Sequence, residues 1–529
     1  MAGAVAAVLL AVSACFSDDG PTEVADPRAA EDDADTAAGA HADDADTPDD
    51  LDTPDGPHTP DAPDTQDTPD TPDTPDTPPS ADDVAEGPVC DADRDATVDP
   101  DLATTVTLWH NLGTDQLSTA FDELVAGFVT AHPNITIEEI RVDGYVDAVR
   151  LLRGTDPDDF PDLFMGSVDD ARLLADSGVF VPPSACWGRA PSVFDELLPV
   201  IRETMAIDGT VWAYPFNIST PVLMYDRSLL ADAGLDPDAE PATLTELASL
   251  VTAVTAAGKA SGGLVMYDQS ASWLVEQLAV HHGHVLVEPD NGRGGHPVTD
   301  VRFATDEAVA ALEWARGLYA DGLVTWVGVN QSGFDDLLRL IDLNDRAAFT
   351  MHTSAALGDI VRLVYEEGLD DLAGADLGVA PMPSLAGGTG ALAGGGSLWL
   401  LDNGDPVAVG AAARFAEFLL TPASQAGFAA ATGYVPVTFA AAEHAVTTAR
   451  WEEYPQFEVP YAQLARTPAS PVATGMQIGP RSSVQRVIEL AAADVVVDGA
   501  DARERLEVAE REALDLIRRY EIDVGATAP

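Results

Sequence analysis

Carboxylates, imidazoles and thiols are the side chains here that could do chemistry, and few of them fall into a working pattern. The 529 residues include 90 Asp and Glu, 10 His and 3 Cys. With so many carboxylates some pairing is inevitable, so an acid pair of the glycosidase kind carries little meaning. His281, His282 and His284 form the cluster HHGH, a candidate metal site. Without an accompanying cysteine, and on an element the sequence leaves undefined, it reads as a surface or cleft edge. No GxSxG, HExxH or Walker loop occurs. No catalytic pattern stands out, and the expectation is no enzyme, no metal and no cofactor.

The cysteines say more. The chain starts MAGAVAAVLLAVSAC, an apolar run ending Val12-Ser13-Ala14-Cys15. That ending resembles a bacterial lipobox: a branched apolar residue, two small ones, then the cysteine acylated after cleavage. No Lys or Arg precedes it, unlike a standard export signal; a misassigned start codon would account for that. The expectation is a signal peptide over 1–15 and a lipid on Cys15. Cys90 and Cys186 are then left as a possible disulfide in an oxidising compartment, though sequence supplies no distance.

Residues 16–103 hold 29 acidic and 2 basic side chains and include the run DTPDTPDTPDTPP. Such a stretch cannot bury enough apolar surface to offset chain entropy. Repeated charge and proline extend it, so it is expected to be a disordered acidic Asp/Pro/Thr linker that holds a globular body off a membrane. A cation-binding tail is the rival, but the Asp spacing lacks EF-hand geometry. Net charge over the whole chain is −64. That repels nucleic acid and anionic lipid surfaces, leaving the membrane reachable only through the N-terminal lipid. Lys259 is the sole lysine. After the first fifteen residues no apolar run approaches the roughly 18 residues that span a bilayer.

From Thr104 the pattern changes. TTVTLWH alternates as a strand does. In the segment that follows, Leu117, Phe121, Leu124, Val125 and Phe128 fall on one helical face. Pro133 ends that helix and ITIEEIRV reads as a second strand. Similar units recur at PDLFMG, with a helix through Leu173, and at RAAFTM, with a helix from Ser354. The chain closes on the amphipathic helix ARERLEVAEREALDLIRRY. Alternating strands and helices imply an α/β body with a parallel or mixed sheet, read here as two lobes over 104–529.

Six blocks carry a family resemblance: LWHNL at 108–112, YPFNISTPVLMYD at 214–226, AGLDPDAEPATLTEL at 233–247, GGGSLWLL at 394–401, ATGYVPVT at 431–438 and SVQRVIEL at 483–490. In this order they resemble the family 1 extracellular solute-binding proteins of ABC importers, and within them the sn-glycerol-3-phosphate-binding proteins. The resemblance implies a Venus flytrap, the two-lobed periplasmic-binding-protein fold. Two α/β lobes close over one small molecule, which a permease pair driven by an ATPase then receives unchanged. It also implies a monomer, exported and lipid-anchored at the outer face of the cell membrane, periplasmic or on the cell surface.

Matched to the glycerol-phosphate binders, the ligand contacts would be Tyr145, Ser219, Thr353, Gly395, Tyr434 and Arg486. Arg486 would offer a charge-assisted fork to phosphate. The two phenols would serve phosphate and glycerol carbon alike, Ser219 and Thr353 would donate and accept, and Gly395 would let a main-chain N–H approach an anionic oxygen. Two positions depart from the family. Ser167 stands where those binders have a carboxylate, and Leu244 where they have a pocket tryptophan. Both changes imply more room, so the expected solute is glycerol 3-phosphate or a bulkier glycerophosphodiester. The alternative is a neutral sugar or oligosaccharide, with Trp109, Trp273 and Trp399 as possible stacking faces.

Overall fold

A computed structural model describes residues 89–113, 115–260, 262–329, 335–341, 346–367, 374–385, 388 and 390–525. The expected signal peptide, Cys15 and the linker up to residue 88 lie outside the described residues.

The chain builds a first sheet from β1 (Thr104–His110), β2 (Ile135–Arg141), β3 (Leu163–Ser167), β4 (Phe180–Val181) and β5 (Tyr214–Ser219). It then passes into a second sheet with β6 (Pro221–Asp226), β7 (Gly262–Met266), β8 (Val324–Trp326), β9 (Ala347–Thr353) and β10 (Leu377–Pro381). It returns to the first with β11 (Gly394–Leu401). Pairing is parallel where a helix makes the crossover, as between β1 and both β2 and β3, and between β7 and both β8 and β9. It is antiparallel between β11 and β3, β4 and β5, and between β6 and both β9 and β10. The fold is the two-lobed, mixed α/β one.

The helices that bear on the site are α1 (Asp115–Ala131), α2 (Tyr145–Arg153), α3 (Leu244–Ala256), α4 (Asp268–His282), α5 (Pro406–Leu419), α6 (Arg481–Val496) and α7 (Ala502–Asp523). On α1 the expected apolar stripe buries Leu117, Phe121 and Phe128. Phe121 and Phe128 meet Phe415 of α5 with ring centroids 6.3 and 5.0 Å apart. These rings belong to the first lobe's core, which also holds Phe164 and Trp399. The second lobe packs Leu264, Phe349, Leu312, Ile488 and Ile517 in a core of its own. Each sheet thus has its own apolar interior, which is why the junction between them can hold a polar cleft.

Among the described residues the chain crosses between the lobes at Thr220, on either side of the stretch that joins β10 to β11, and at residues 466–480. The crossings are tied to one another. Gln463 Nε2 donates to Thr220 Oγ1 at 2.9 Å and to Pro221 O at 2.8 Å. Ala391 N donates to Thr467 Oγ1 at 2.9 Å, while Gln277 on α4 donates to Gly390 O at 2.6 Å and accepts from Leu392 N at 3.1 Å.

The folded body begins earlier than the sequence pattern suggests. Residues 89–103 were expected to be the end of the linker; the structure packs them on the first lobe instead. Cys90 and Cys186 are bridged, with Cα atoms 4.6 Å apart and a sequence separation of 96. Asn134 Nδ2 reaches three carbonyls, of Ala96 at 2.8 Å, Asp99 at 3.2 Å and Leu102 at 2.8 Å. Arg414 Nε binds Asp95 Oδ2 at 2.9 Å. A bridge closing a loop of this length stabilises by about 4–5 kcal/mol on the chain-entropy account. Side-chain-to-backbone ties and a covalent link leave no periodicity, so the pattern of residue types could not show them. Among the described residues no helix is long and apolar enough to cross a membrane.

Candidate functional site

A cavity of about 190 Å³ lies where the two sheets meet, walled by residues of both lobes and of the crossing segments. Its first wall follows from three strand and helix ends. Tyr145 opens α2 and its Oη accepts from Asn217 Nδ2 of β5 at 3.1 Å. Opposite runs β11. Gly395 there has φ of +97°, and a Cβ on it would collide with the Asn217 carbonyl oxygen. A Cβ on Gly396 would sit 2.5 Å from Tyr145 Oη. Glycine is what lets this strand pass so close to the tyrosine and asparagine.

Ser219 ends β5 in the first lobe and Thr353 ends β9 in the second. Thr353 Oγ1 donates to Ser219 Oγ at 3.1 Å, so a hydroxyl pair spans the junction. Thr353 Oγ1 also accepts from Ala355 N at 3.3 Å, as the cap of the next turn. Ser167 ends β3, and its Oγ accepts from Asp169 N at 3.2 Å, capping the turn Val168–Asp170. Tyr434 follows Gly433, whose φ is +84°, and stacks on Phe428 with centroids 5.9 Å apart. Tyr145, Ser167, Ser219, Thr353, Gly395 and Tyr434 all line this one cavity.

Two expected contacts lie elsewhere. Leu244 is the first residue of α3, behind the Thr243–Glu246 capping box, and is 1% exposed within the second lobe's core. Its side chain is fully used in packing. Arg486 is on the outer side of α6, its side chain 39% exposed, bound to Asp268 at 2.9 Å and Glu489 at 3.1 Å. The arginine of α6 that lines the cavity is Arg481, which begins the helix and is only 6% exposed. Its Nη2 lies 2.5 Å from Glu276 Oε2 and 3.7 Å from Asp169 Oδ1. Burial alone would lower its pKa; the charges of Glu276, Asp169 and Asp170 outweigh that and hold the guanidinium above its ordinary range. Arg481 Nη1 and Glu276 Oε1 have no hydrogen-bond partner among the described residues. A buried donor and acceptor left unmet cost about 1–3 kcal/mol each, which a polar guest can recover.

Of the three tryptophans, Trp109 and Trp399 are core residues, whereas Trp273 on α4 reaches the cavity wall. His281 lies 3.0 Å from Gly390 O and His284 3.1 Å from Glu307, and no group of three or more His, Cys, Asp or Glu able to hold a metal occurs among the described residues.

The wall therefore combines phenols, hydroxyls, one indole, an arginine–glutamate pair and backbone exposed at glycines. Such a set holds a small polar molecule by hydrogen bonds and a flat face. The sequence profile of the bacterial extracellular solute-binding proteins matches residues 123–459. The chain belongs to that family. This solute-binding protein is 25% identical over 431 residues to the sn-glycerol-3-phosphate-binding periplasmic protein UgpB of Salmonella typhimurium, covering 79% of this chain and 93% of the relative. With UgpB of Yersinia enterocolitica it shares 27% identity over 356 residues, 66% of this chain and 74% of that one. Among solved structures it resembles UgpB from Mycobacterium tuberculosis in complex with glycerophosphocholine, with TM-score 0.64, 19% identity, 79% of this chain and 100% of that one covered. The GacH receptor of Streptomyces glaucescens, solved unliganded and with acarbose, matches equally well in fold, with TM-score 0.64, 18% identity and coverages of 79% and 99%. At these identities the two structures speak for the fold alone.

Proposed function

We propose that this solute-binding protein captures glycerol 3-phosphate or a glycerophosphodiester in the interlobe cavity and passes it, unchanged, to an ABC permease with its ATPase. In this reading Cys15 carries the lipid, residues 16–88 are the tether, and the protein works outside the membrane as a monomer. The observation that carries it is the convergence of six expected contacts on one cavity together with Arg481. The phenols and hydroxyls suit glycerol, Arg481 gives phosphate a charged partner, and Ser167 in place of a carboxylate leaves space for a second substituent on the phosphate.

A neutral sugar is the second reading. It is favoured by Trp273 standing in the same wall as Glu276 and Asp169, since a flat ring beside carboxylate acceptors suits hydroxyl-rich rings. Calorimetric titration with glycerol 3-phosphate, glycerophosphocholine and maltotriose separates the two. Saturable one-to-one binding of a phosphate compound, with no heat from maltotriose, is the expected result. Binding of maltotriose alone would replace this reading by the second.

A further inference from the structure

Three guanidinium groups line the cavity, and their charges are treated differently. Arg481 is opposed by Glu276 at 2.5 Å, and Arg172 by Asp176 at 2.8 Å. Arg293 has no carboxylate within ion-pair distance among the described residues. It is 8% exposed, and its donors go to backbone carbonyls. Nη1 binds Glu203 O at 3.0 Å and Ala206 O at 3.2 Å, and Nη2 binds Thr474 O at 3.0 Å. Its Nε finds no hydrogen-bond partner among the described residues. Burial pulls its pKa down to about 10, with the charge of Glu203 acting the other way, so it stays a cation at neutral pH.

A cage of carbonyls solvates a charge without cancelling it, and a buried charge without a counter-charge is costly to keep. A neutral amide could tie the same backbone. Gln477 does so alongside, donating Nε2 to the same Ala206 O at 2.9 Å. What arginine adds over glutamine at this place is a fixed positive charge in the cavity wall, on a chain whose net charge is −64. Inside a low-dielectric cleft such a charge acts strongly on an anionic guest and little on a neutral one.

We propose that Arg293 makes the cleft select an anionic solute over a neutral one. The inference rests on the phosphate reading above and extends it, since the guest's anion becomes the contact partner of a charge on which Glu203 acts only from beyond ion-pair distance. The three cage carbonyls belong to the first lobe and to a crossing segment, so the charge is held in place when the lobes meet.

The test titrates glycerol 3-phosphate into the wild type, Arg293→Lys, Arg293→Gln and Gln477→Glu, with thermal melting as the check on folding. Arg293→Lys keeps a charge; Gln477→Glu leaves the arginine in place but installs an isosteric carboxylate beside it and gives up the Gln477 bond to Ala206 O, so Gln477→Leu is titrated as its control. The expected result is affinity within about threefold of wild type for the lysine variant and a loss of tenfold or more for both the glutamine and the glutamate variants. A purely structural clamp would weaken the lysine and glutamine variants alike and leave Gln477→Glu no weaker than Gln477→Leu, which gives up the same bond to Ala206 O without adding a charge; that result overturns the proposal. If Arg293→Gln does not fold, the difference between Gln477→Glu and Gln477→Leu decides. Wild-type affinity retained in Arg293→Gln removes Arg293 and leaves the phosphate reading standing, whereas a wild type that takes up no glycerol 3-phosphate removes both.

Discussion

Tyr520, near the end of the last helix of the second lobe, donates its phenolic hydrogen to Asp176 Oδ2 of the first lobe across 3.0 Å. The ring lies so close over Gly479 that a Cβ there would enter it. Burial first, then the charge of Asp176, raises the Tyr520 pKa well above the usual phenol range, so the group remains a donor at physiological pH. Asp176 also takes Arg172 Nε at 2.8 Å, and Arg172 lines the solute cavity. Ser482 Oγ adds a second tie, to Asp170 Oδ1 at 3.2 Å. One rim of the cleft is thus fastened by polar contacts between lobes.

Removing that hydroxyl in Tyr520→Phe takes away one bond to a charged acceptor, worth about 1 kcal/mol at this partly exposed site. Solute affinity is expected to fall roughly fivefold. Calorimetry checks the affinity, and an unchanged value would mean that the contact does not belong to the closed, solute-holding arrangement.

Arg481 and Arg486 share one helix and should respond in opposite ways. Arg486→Ala removes part-exposed ion pairs and is expected to cost under about 1 kcal/mol of stability while leaving affinity within about twofold. Arg481→Met removes the cation from the cavity and leaves Glu276 buried without its partner, so binding of glycerol 3-phosphate should be lost and the melting temperature should drop. Parallel titrations and melts of the two variants measure this; the reverse ranking would restore Arg486 as the phosphate contact.

These two arginines also show how far the sequence could be read. Buried positions on α6 run Arg481, Val484, Ile488, Ala491 and Val495, a stripe of helical period. Arg481 stands at the head of that stripe and Arg486 off it. A charged residue on an apolar stripe was the available signal, but it required knowing that the helix starts at 481. Leu244 failed for a related reason, because the first residue of a capped helix can turn either into a core or into a cleft, and pattern alone does not decide. Tyr145, Ser219, Thr353, Gly395 and Tyr434 were named from the resemblance to the glycerol-phosphate binders, and the structure brings all five to one cavity, at or beside the ends of strands and helices. Glu276, Arg293 and Asn217 were not, since their roles come from contacts between residues 70 or more apart in sequence, such as Asn217 with Tyr145. The two-lobed α/β fold itself was written in the alternation of strands and helices from Thr104 onward.

Gly395 offers a steric test of the same wall. Gly395→Ala meets both a positive φ and the Asn217 carbonyl, whereas Gly404→Ala, at φ of +84°, has nothing within 4 Å. The expected costs are roughly 2–4 kcal/mol for the first and about 1 kcal/mol for the second. Denaturant unfolding of both variants compares them, and equal costs would show that β11 can move away from β5 without penalty.

A pH effect should come from His281. Burial holds its pKa down at about 4, against the hydrogen bond to Gly390 O. Unfolded, the imidazole titrates near 6.5. The folded state therefore prefers the neutral ring: its contribution to stability is complete above about pH 6.5 and is lost as the pH falls toward 4, by up to about 3 kcal/mol. His281→Gln should melt with a shallower dependence on pH across that window than the wild type. Identical slopes would show that the ring opens to solvent before it gains a proton.

The account turns on what the cleft between the lobes holds, and mass spectrometry of the compound released on denaturing protein purified from its own cells reads that directly. One phosphorus-containing polyol per chain, a glycerol phosphate or glycerophosphodiester, is the predicted result. An oligosaccharide without phosphorus would contradict it.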